Sequence, residues 1–456
     1  MSQPLVLDAA GAGFQPRYGL ILLTLSLGVL VTQVDTSVVN LAIQPIGAAF
    51  GASVGALQWV LDAYNLTYAV LLLTGGLLAD LYGRRVVFMA GAAMLSLSSV
   101  VCALAPNIGA LIAARAATGV GSALLIPASL ALLRVIWVDP YARRRALGVW
   151  ASCNGLAFAI GPTIGGLLIG RFGWQSVFMV VVPITACALV LAWSVVPESS
   201  NPHRRCLDLP GQALGITVLG GLVFGIISSH GGTTWWPVPL VISALAVPLF
   251  ILVEHRAGVT ALVPLDLFRQ KAFCGAIGAT AAMTFGIYGA IFLIPLVWQS
   301  AHAFTPEETG LALMPGAALF FLLSQRSGHM AQLVGVRLMT AGGTAVCGLG
   351  LLVLATTSEA QPFALAQVGF AATGAGMALN TGPLMSVAVE SVSAARAGTA
   401  ASLINVARMT GASLGVACLG AVFAFGDGGA EGLRAAMLIG GAVQLCGGAL
   451  AWATIR

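Results

Sequence analysis

Two acidic residues lie where acids are rare, within long apolar stretches of the sequence. Of the fifteen Asp and Glu residues, only Asp35 and Asp62 fall well inside such a stretch. A medium of low dielectric constant favours the neutral form of a carboxyl group, so acids in such positions can take up and release protons near neutral pH. Both are candidates for proton coupling. The alternatives are a hydrogen-bonded helix-packing acid for Asp35 and a solvated carboxylate at a helix start for Asp62.

Two arginines also lie within apolar stretches, Arg115 and Arg408. A guanidinium stays charged, so it needs a counter-charge or a water-filled cavity there. Arg115 is the natural partner of the two acids. Its alternative role is structural, as a polar residue that holds neighbouring helices together. Arg408 has no acid in the apolar stretches of its own half of the chain. It either pairs with Asp35 or Asp62, binds an anionic part of a ligand, or reaches the interface or backbone carbonyls.

The stretches that carry these residues are those of an integral membrane protein. Hydrophobic residues make up 59% of the chain and charged residues only 8%, against about 25% charged in an average soluble domain. A bilayer core about 30 Å thick takes roughly 20 apolar residues per helix, and the alternating pattern of barrel strands is not visible. We count fourteen apolar runs and predict a membrane-spanning helix in each. Their approximate limits are 18–40, 56–79, 86–105, 109–133, 146–169, 174–196, 210–229, 237–254, 273–298, 308–325, 337–356, 362–385, 398–424 and 434–453.

The basic residues predict the orientation of these helices. If the N-terminus is cytoplasmic, 16 of the 20 Lys and Arg residues lie in inside segments and only Arg171 and Arg434 in outside loops. This asymmetry is the one expected for a membrane protein with both termini in the cytoplasm, here of the inner (plasma) membrane. It accounts for the net charge of +5, so no nucleic-acid partner is predicted. The eight cysteines lack Cys-x-x-Cys spacing and the histidines do not cluster, so no metal site is predicted either.

A glycine-rich basic turn, GGLLADLYGRR at 75–85, separates the second and third runs. A degraded copy lies 252 positions later, between the tenth and eleventh runs. A shift of eight helices implies two related six-helix bundles separated by two helices, facing each other across a midplane cavity. The predicted domains are an N-terminal bundle at 1–200, two linker helices at 201–262 and a C-terminal bundle at 263–456. The matching pairs are Gly76/Gly328, Ala79/Ala331, Leu81/Leu333, Gly83/Gly335 and Arg85/Arg337.

The residue types of this turn indicate a mechanical role. We expect Gly76 and Gly83 to permit close approach and a turn, and Asp80 to hold a helix N-terminus or an arginine. Arg84 and Arg85 are expected at the cytoplasmic interface. Breaking and remaking these contacts would bias inward-facing and outward-facing states. A glutamine replaces the aspartate in the second copy, so the two bundles are predicted to be gated unequally.

The fifth run carries a small, kinked face suited to close helix packing. Generic small-residue packing explains the size of these residues but not the Gly-Pro placement. The residues are Gly155, Gly161, Pro162, Gly165 and Gly166.

A cavity for amphiphilic ligands is largely apolar with a few polar handles. Aromatic residues and methionines in spans are also common in cores, so some of the candidates are expected to be packing residues. The candidate cavity residues are Asn40, Tyr64, Asn154, Met283, Phe285, Tyr288, Asn380, Asn405 and Arg408, with Trp298 beside them.

Together these motifs resemble the major facilitator superfamily, and within it the fourteen-span drug:proton antiporters. GLLADLYGRR (76–85) resembles the superfamily's motif between spans 2 and 3, and LIAARAATGVGSA (111–123) its span 4 motif. AFAIGPTIGG (157–166) is similar to the antiporter motif of span 5, and VDTSVVNLAIQP (34–45) to the span 1 motif of drug exporters. The segment 396–417 fits the fourteen-span group. WVLDAYNLTYA and PLDLFRQKAF are similar to segments of methylenomycin-resistance-type exporters.

The resemblance implies an all-α major facilitator fold with fourteen spans. Acids at the places of Asp35 and Asp62 then serve proton coupling or cation recognition, Arg115 takes part in proton transfer, and the span 5 motif marks exporters. We predict proton-coupled efflux of drugs or amphiphilic small molecules by alternating access. The protein is expected to act as a monomer in the lipid bilayer, with no cofactor beyond the proton gradient.

Other functions remain open at this point. A secondary transporter of a nutrient or endogenous metabolite is the main alternative. A polytopic membrane enzyme is not expected, because no cluster of His, Asp, Cys or Glu stands at the end of a span. A transport-dead receptor would be indicated if Asp35 could be replaced without phenotype.

Overall fold

The computed structural model describes residues 16–200, 208–229, 234–258, 261–300, 303–356, 363–393, 396–426 and 428–455. In these ranges the chain forms α-helices and one short 3-10 turn, without β-strands. The helices are α1 (Pro16–Phe50), α2 (Val54–Tyr82), α3 (Arg84–Ala103), α4 (Ile108–Ile136), α5 (Pro140–Phe172), α6 (Ser176–Met179), α7 (Val181–Val195), α8 (Leu209–Ser228), α9 (Pro237–Ala257), α10 (Lys271–Ser300), α11 (Pro306–Ser324), α12 (Ser327–Val334), α13 (Val336–Thr356), α14 (Phe363–Glu390), α15 (Ala397–Phe425) and α16 (Ala430–Thr454).

Polar residues just before the apolar runs begin several of these helices. The Asn107 side chain accepts a hydrogen bond from the backbone of Ala110 at 2.9 Å and caps α4. Thr305 and Glu308 form a reciprocal capping box at the start of α11. Such caps satisfy backbone N–H groups that have no partner inside the helix. The local sequence therefore sets where these helices start.

Twelve helical segments of the described chain, with α6 and α7 counted as one, are long and apolar enough to cross a membrane. The helices α11 and α14 occupy two further predicted runs but do not meet this measure. Glu307 and Glu308 in the first turn of α11, and Gln367 and Asn380 in α14, lower the apolar character of these helices. The structure thus supports a multi-pass helical protein with twelve candidate spans, and it does not confirm the predicted count of fourteen.

The helices pack as two groups. In the first helix group, α1–α7, the main contacts are α2 with α4, α3 with α4, and α1 with α5. In the second helix group, α10–α16, they are α13 with α14 and α16, and α10 with α15 and α16. Two long seams join the groups, α2 against α15 and α5 against α11, with a smaller contact of α1 with α10.

The linker pair, α8 and α9, lies against the α2/α15 seam. Gln212 on α8 donates to the backbone oxygen of Val70 on α2 at 2.7 Å and is hydrogen-bonded to Thr74. With α15 the contacts are apolar, since Val223 and Ile227 of α8 cluster with Ala417. The linker pair is therefore hydrogen-bonded to the first helix group and in apolar contact with the second.

The two ends of the molecule differ in how tightly the groups are joined. We call the end where α2 gives way to α3, with Arg84 and Arg85, the basic end, and the end where α1 gives way to α2 the opposite end. Apart from the hydrogen bond between Tyr68 and Arg408 near the middle of α2 and α15, the described hydrogen bonds between the groups lie in the half nearer the opposite end. They run from Gln58 to the backbone oxygens of Val416 and Ala417, from Ser413 to Asp62, and from Gln299 to the backbone oxygen of Leu41.

Candidate functional site

Asp35 and Arg115 form a buried ion pair inside the first helix group. Arg115 Nη1 lies 2.7 Å from Asp35 Oδ2, and the two side chains are 1% and 0% exposed. Arg115 Nε donates to the backbone oxygen of Val60 at 3.1 Å, and its guanidinium carbon lies 4.5 Å from the centre of the Tyr64 ring. Asp35 on α1 is thus the counter-charge that Arg115 on α4 requires.

The second carboxylate oxygen of Asp35 is not used in this arrangement. Asp35 Oδ1 is buried and has no hydrogen-bond partner in the described structure. A carboxylate can accept at both oxygens, and a protonated carboxyl becomes a donor at one of them. Oδ1 is therefore the oxygen of Asp35 that is left without a partner while Oδ2 faces Arg115.

Asp62 belongs to the α2/α15 seam. Its Oδ1 accepts a hydrogen bond from Ser413 at 3.0 Å, the side chain is fully buried, and Oδ2 has no partner in the described structure. One turn earlier on α2, Gln58 Nε2 donates to Val416 and Ala417 at 2.8 and 2.9 Å. Because Asp62 is buried, it is not a solvated carboxylate at a helix start. Its protonation state bears directly on a contact between the helix groups.

Arg408 lies beside two tyrosines at the middle of α15. It is hydrogen-bonded to Tyr68 on α2 and interacts electrostatically with Tyr288 on α10. Its Nε is buried without a hydrogen bond, and neither Asp35 nor Asp62 forms an ion pair with it in the described chain. The predicted pairing of Arg408 with one of these acids is therefore not present in this conformation.

A narrow cleft, which we call the cavity, lies between the two helix groups. Polar residues of α1 line one side and apolar residues of α5, α10, α11 and α14 the rest. The lining residues are Gln33, Thr36, Ser37, Asn40, Leu41, Phe158, Pro162, Tyr288, Ile291, Leu313, Ala317 and Phe370.

The cavity and the ion pair lie on different faces of α1, because the residues that form them alternate along the turns of the helix. Gln33, Thr36, Ser37 and Asn40 recur at helical spacing and face the cavity. Asp35, between them in sequence, is bonded to Arg115 on α4 instead. Ligand-lining residues and the ion pair therefore lie on two faces of one helix.

Two of the predicted cavity residues, Asn40 and Tyr288, line the cavity. Tyr64 is not among its lining residues, because its ring lies against Arg115. The side chain of Asn154 on α5 lies outside the described residues. Arg408 is not among the lining residues either, but it interacts electrostatically with Tyr288.

Four other predicted cavity residues are hydrogen-bonded or packed within the helix groups. In either amide orientation Asn380 is hydrogen-bonded to Thr344 at 2.9 Å or less, inside the second helix group. Asn405 Nδ2 donates to the backbone of its own helix at 2.9 Å. Met283 and Phe285 belong to the largest apolar core cluster. These four residues do not line the cavity in this conformation.

The span 5 motif packs α5 against both α1 and α11. A methyl group at Gly161 would collide with Ser37 on α1, one at Gly165 would lie only 3.2 Å from Val38, and one at Gly166 would lie 2.5 Å from the backbone oxygen of Pro306 on α11. Such close approach requires glycine. Two members differ, since Pro162 lines the cavity and Gly155 has no atom nearer than 3.4 Å.

The motif between α2 and α3 is fastened to the end of α7. Asp80 pairs with Arg84 at 2.8 Å, which is one of the two partners predicted for it. Gly83 separates the two helices with φ +109, a conformation that favours glycine. Both carboxylate oxygens of Glu198 accept backbone hydrogen bonds at the start of α3, at 3.0 and 3.1 Å. Gly76 meets only Pro127 at 3.5 Å, whereas its neighbour Gly75 makes the close helix contact.

The repeated arginine makes the same contact in both groups. Arg85 donates to the backbone oxygen of Trp193 at 2.9 Å and lies 5.6 Å from its ring centre. Arg337, its match in the second copy, donates to the backbone oxygen of Trp452 at 2.8 Å and lies 4.1 Å from that ring centre. The sequence repeat thus corresponds to a repeated structure, although the tryptophans gave no signal of their own.

The sequence alone predicts no contact for Gln58, Ser413, Gln299 or Glu198. Gln58 and Ser413 are uncharged polar residues in apolar runs, and Gln299 directly follows such a run. Their contacts become visible only when α2 and α15, or α1 and α10, are brought together. Glu198 lies just after the sixth run, on the same predicted side of the membrane as the basic turn. That shared side is the one signal that could have identified it.

The sequence and structure comparisons agree with this geometry. A model of the Major Facilitator Superfamily matches residues 25–416. The multidrug resistance protein Stp of Mycobacterium tuberculosis (strain CDC 1551 / Oshkosh) is 35% identical over 410 residues, which cover 89% of this chain and 76% of that protein. The methylenomycin A resistance protein of Bacillus subtilis (strain 168) is 31% identical over 438 residues, covering 95% and 93% of the two chains.

Solved structures share the fold. A bacterial homologue of the human lysosomal transporter Spinster, in an inward-facing and occupied conformation, matches with a TM-score of 0.67 at 18% identity and 97% coverage of both chains. The peptide transporter POT in complex with sulfate matches with a TM-score of 0.72 at 15% identity, covering 97% of this chain and 95% of that one. The family resemblance inferred from the motifs is confirmed: this protein belongs to the Major Facilitator Superfamily.

Proposed function

We propose that the protein is a proton-coupled exporter of drugs or other amphiphilic small molecules, working by alternating access. The observation that carries the proposal is a buried Asp35–Arg115 pair directly behind the cavity-lining face of α1. The names of the relatives support the direction of transport, since they are a multidrug resistance protein, a methylenomycin A resistance protein and the efflux pump LfrA of Mycolicibacterium smegmatis. The protein is a transporter and catalyses no covalent reaction.

Proton binding and helix movement are coupled through charge. A proton on Asp35 leaves the guanidinium of Arg115 without its counter-charge, which is costly in a dry interior. A proton on Asp62 changes the hydrogen bond to Ser413 and thereby the α2/α15 seam. Substrate leaves the cavity toward the outside, and a proton taken up there on Asp35, Asp62 or both returns the protein to the inward-facing state.

The membrane arrangement follows from the same proposal. The basic end faces the cytoplasm with both termini, in the inner (plasma) membrane. Helices α11 and α14 cross the bilayer with the twelve candidate spans, giving fourteen in all. Residues 1–200 and 263–456 form the moving bundles, with the linker helices of 201–262 between them. The protein acts as a monomer and uses the proton gradient without a further cofactor.

Drug-triggered proton release tests the function. Everted membrane vesicles carrying the wild type are energised so that their lumen is acidic, and drugs are added while lumenal pH is followed. The wild type is expected to release protons, and Asp35→Asn and Asp62→Asn to release fewer or none. Glu390→Gln removes an exposed carboxylate and is the matched control. If no compound moves protons while a metabolite accumulates independently of pH, the protein is a transporter of another kind.

A further inference from the structure

The interior of the membrane region holds one cation more than its ion pairs use. Asp35 and Arg115 neutralise each other at 2.7 Å, and Asp62 is held by Ser413 in the α2/α15 seam. Arg408 takes part in none of the ion pairs of the described chain. Its positive charge is therefore available to a ligand.

Arg408 cannot reach water at the end of its own helix. It lies eleven residues from Ala397, where α15 begins, and a rise of about 1.5 Å per residue places it roughly 16 Å from that end. An arginine side chain is too short to span this distance. Its side chain is half-buried and hydrogen-bonded to Tyr68, and its Nε is buried without a hydrogen bond in the described structure. A guanidinium has five N–H donors, so the donors that Tyr68 does not use favour, at this depth, a ligand that accepts hydrogen bonds.

The cavity offers no competing charge. The residues lining it are apolar or neutral, and no acid is among them. Tyr288 lines the cavity and also interacts electrostatically with Arg408, so the charge of the guanidinium acts on one lining side chain. A cationic ligand in the cavity would therefore have no counter-charge, whereas an acidic ligand would have the guanidinium of Arg408 as its counter-charge.

We propose that the exported substrates are amphiphiles bearing a carboxylate or similar acidic group, which Arg408 receives beside Tyr288. The apolar part of the substrate lies against Phe158, Ile291 and Phe370, which line the same space. Arginine suits this role because its planar guanidinium can bond both oxygens of a carboxylate. The inference rests on the proposed function and specifies its substrate class.

A series of probes that share one ring system tests the proposal. Binding of 1-pyrenebutyrate, its methyl ester and 4-(1-pyrenyl)butylamine to the purified protein is measured, and their uptake into energised everted vesicles is compared. The wild type is expected to bind and transport the acid in preference to the amine. Arg408→Gln is expected to weaken binding of the acid by ~10- to 100-fold, the range for losing a charged hydrogen bond, and to leave ester binding nearly unchanged.

Two further variants keep the test decisive. Arg408→Lys retains the charge and is expected to restore part of the binding of the acid, and retained ester binding shows that the cavity is folded. Arg256→Gln removes an exposed cation from α9 and is expected to change nothing. Preference for the amine, acid binding that ignores Arg408, or no binding of the acid overturns the proposal. Drug-triggered proton release would survive that result if the exporter function is correct, so the two failures are distinguishable.

Discussion

At the scale of single residues, the buried ion pair of Asp35 and Arg115 allows its effect on stability to be measured separately from the proposed proton coupling. Replacing Asp35 by Asn leaves a buried guanidinium without a counter-charge, which typically costs about 3–5 kcal/mol. We expect a lower thermal unfolding temperature for Asp35→Asn, and recovery of stability in the double variant Asp35→Asn/Arg115→Gln. Thermal unfolding of the purified proteins measures this.

The double variant separates structure from coupling. Its recovered stability should not be accompanied by recovered proton release, because no titratable carboxyl remains at position 35. If the double variant is no more stable than Asp35→Asn, the two side chains do not compensate each other as their 2.7 Å contact requires.

The sequence was sufficient to predict this pair but not its surroundings. Charged residues are so few in the apolar runs that Asp35 and Arg115 identify each other as partners. A serine or glutamine in a span carries no such information, so Ser413 and Gln58 were missed. Which face of α1 a residue occupies relative to α4 also decides between ligand contact and ion pairing, and that depends on helix packing.

At the scale of helices and turns, two glycines at matching places of the repeat provide a comparison within one chain. Gly83 has φ +109, and a methyl group there would lie 2.9 Å from the carboxyl carbon of Glu198. Gly335 has φ +90, and a methyl group there would meet open space. Both substitutions to alanine incur backbone strain of about 1–3 kcal/mol, and Gly83→Ala must also displace the carboxylate that caps α3.

We therefore expect both variants to unfold at lower temperature than the wild type, with the larger decrease for Gly83→Ala. Thermal unfolding in the same detergent is the measurement. An equal decrease for Gly83→Ala and Gly335→Ala would mean that the contact of Glu198 with α3 contributes little to stability.

Helices were predicted better than their ends. The apolar runs locate the helices, but α1 continues to Phe50 and α5 begins at Pro140, beyond the limits read from hydropathy. A helix need not stop where its apolar run stops, because its backbone hydrogen bonds continue into the interface. The short helix α12 lies in a segment that is neither long nor apolar enough to be recognised as a span.

At the scale of the whole molecule, the two seams close the opposite end. Gly166 allows α5 to approach the start of α11, where a side chain would lie 2.5 Å from the oxygen of Pro306. We expect Gly166→Val to hold the seam apart, to shift the protein toward the state open at that end, and to abolish transport. Gly148→Val, on the same helix but with no atom within 4 Å, is the control.

Spin labels at Leu104 and Glu431, both exposed at the opposite end, report the separation of the two helix groups. Gly166→Val should lengthen the distance between them, whereas Gly148→Val should leave it near the wild-type value. A shorter or unchanged distance in Gly166→Val would mean that the α5/α11 seam does not control this end.

The linker pair has a consequence for the surrounding bilayer. Because α8 is hydrogen-bonded to α2 and only in apolar contact with α15, it can stay with the first helix group while the second slides past. Apolar surfaces can exchange neighbours without losing hydrogen bonds, so this sliding carries a small energetic cost. If the α2/α15 seam opens as the proposed alternating access requires, we expect the linker pair to remain over the gap. It would then keep acyl chains out, so that a substrate is exchanged with water and not sideways with the lipid.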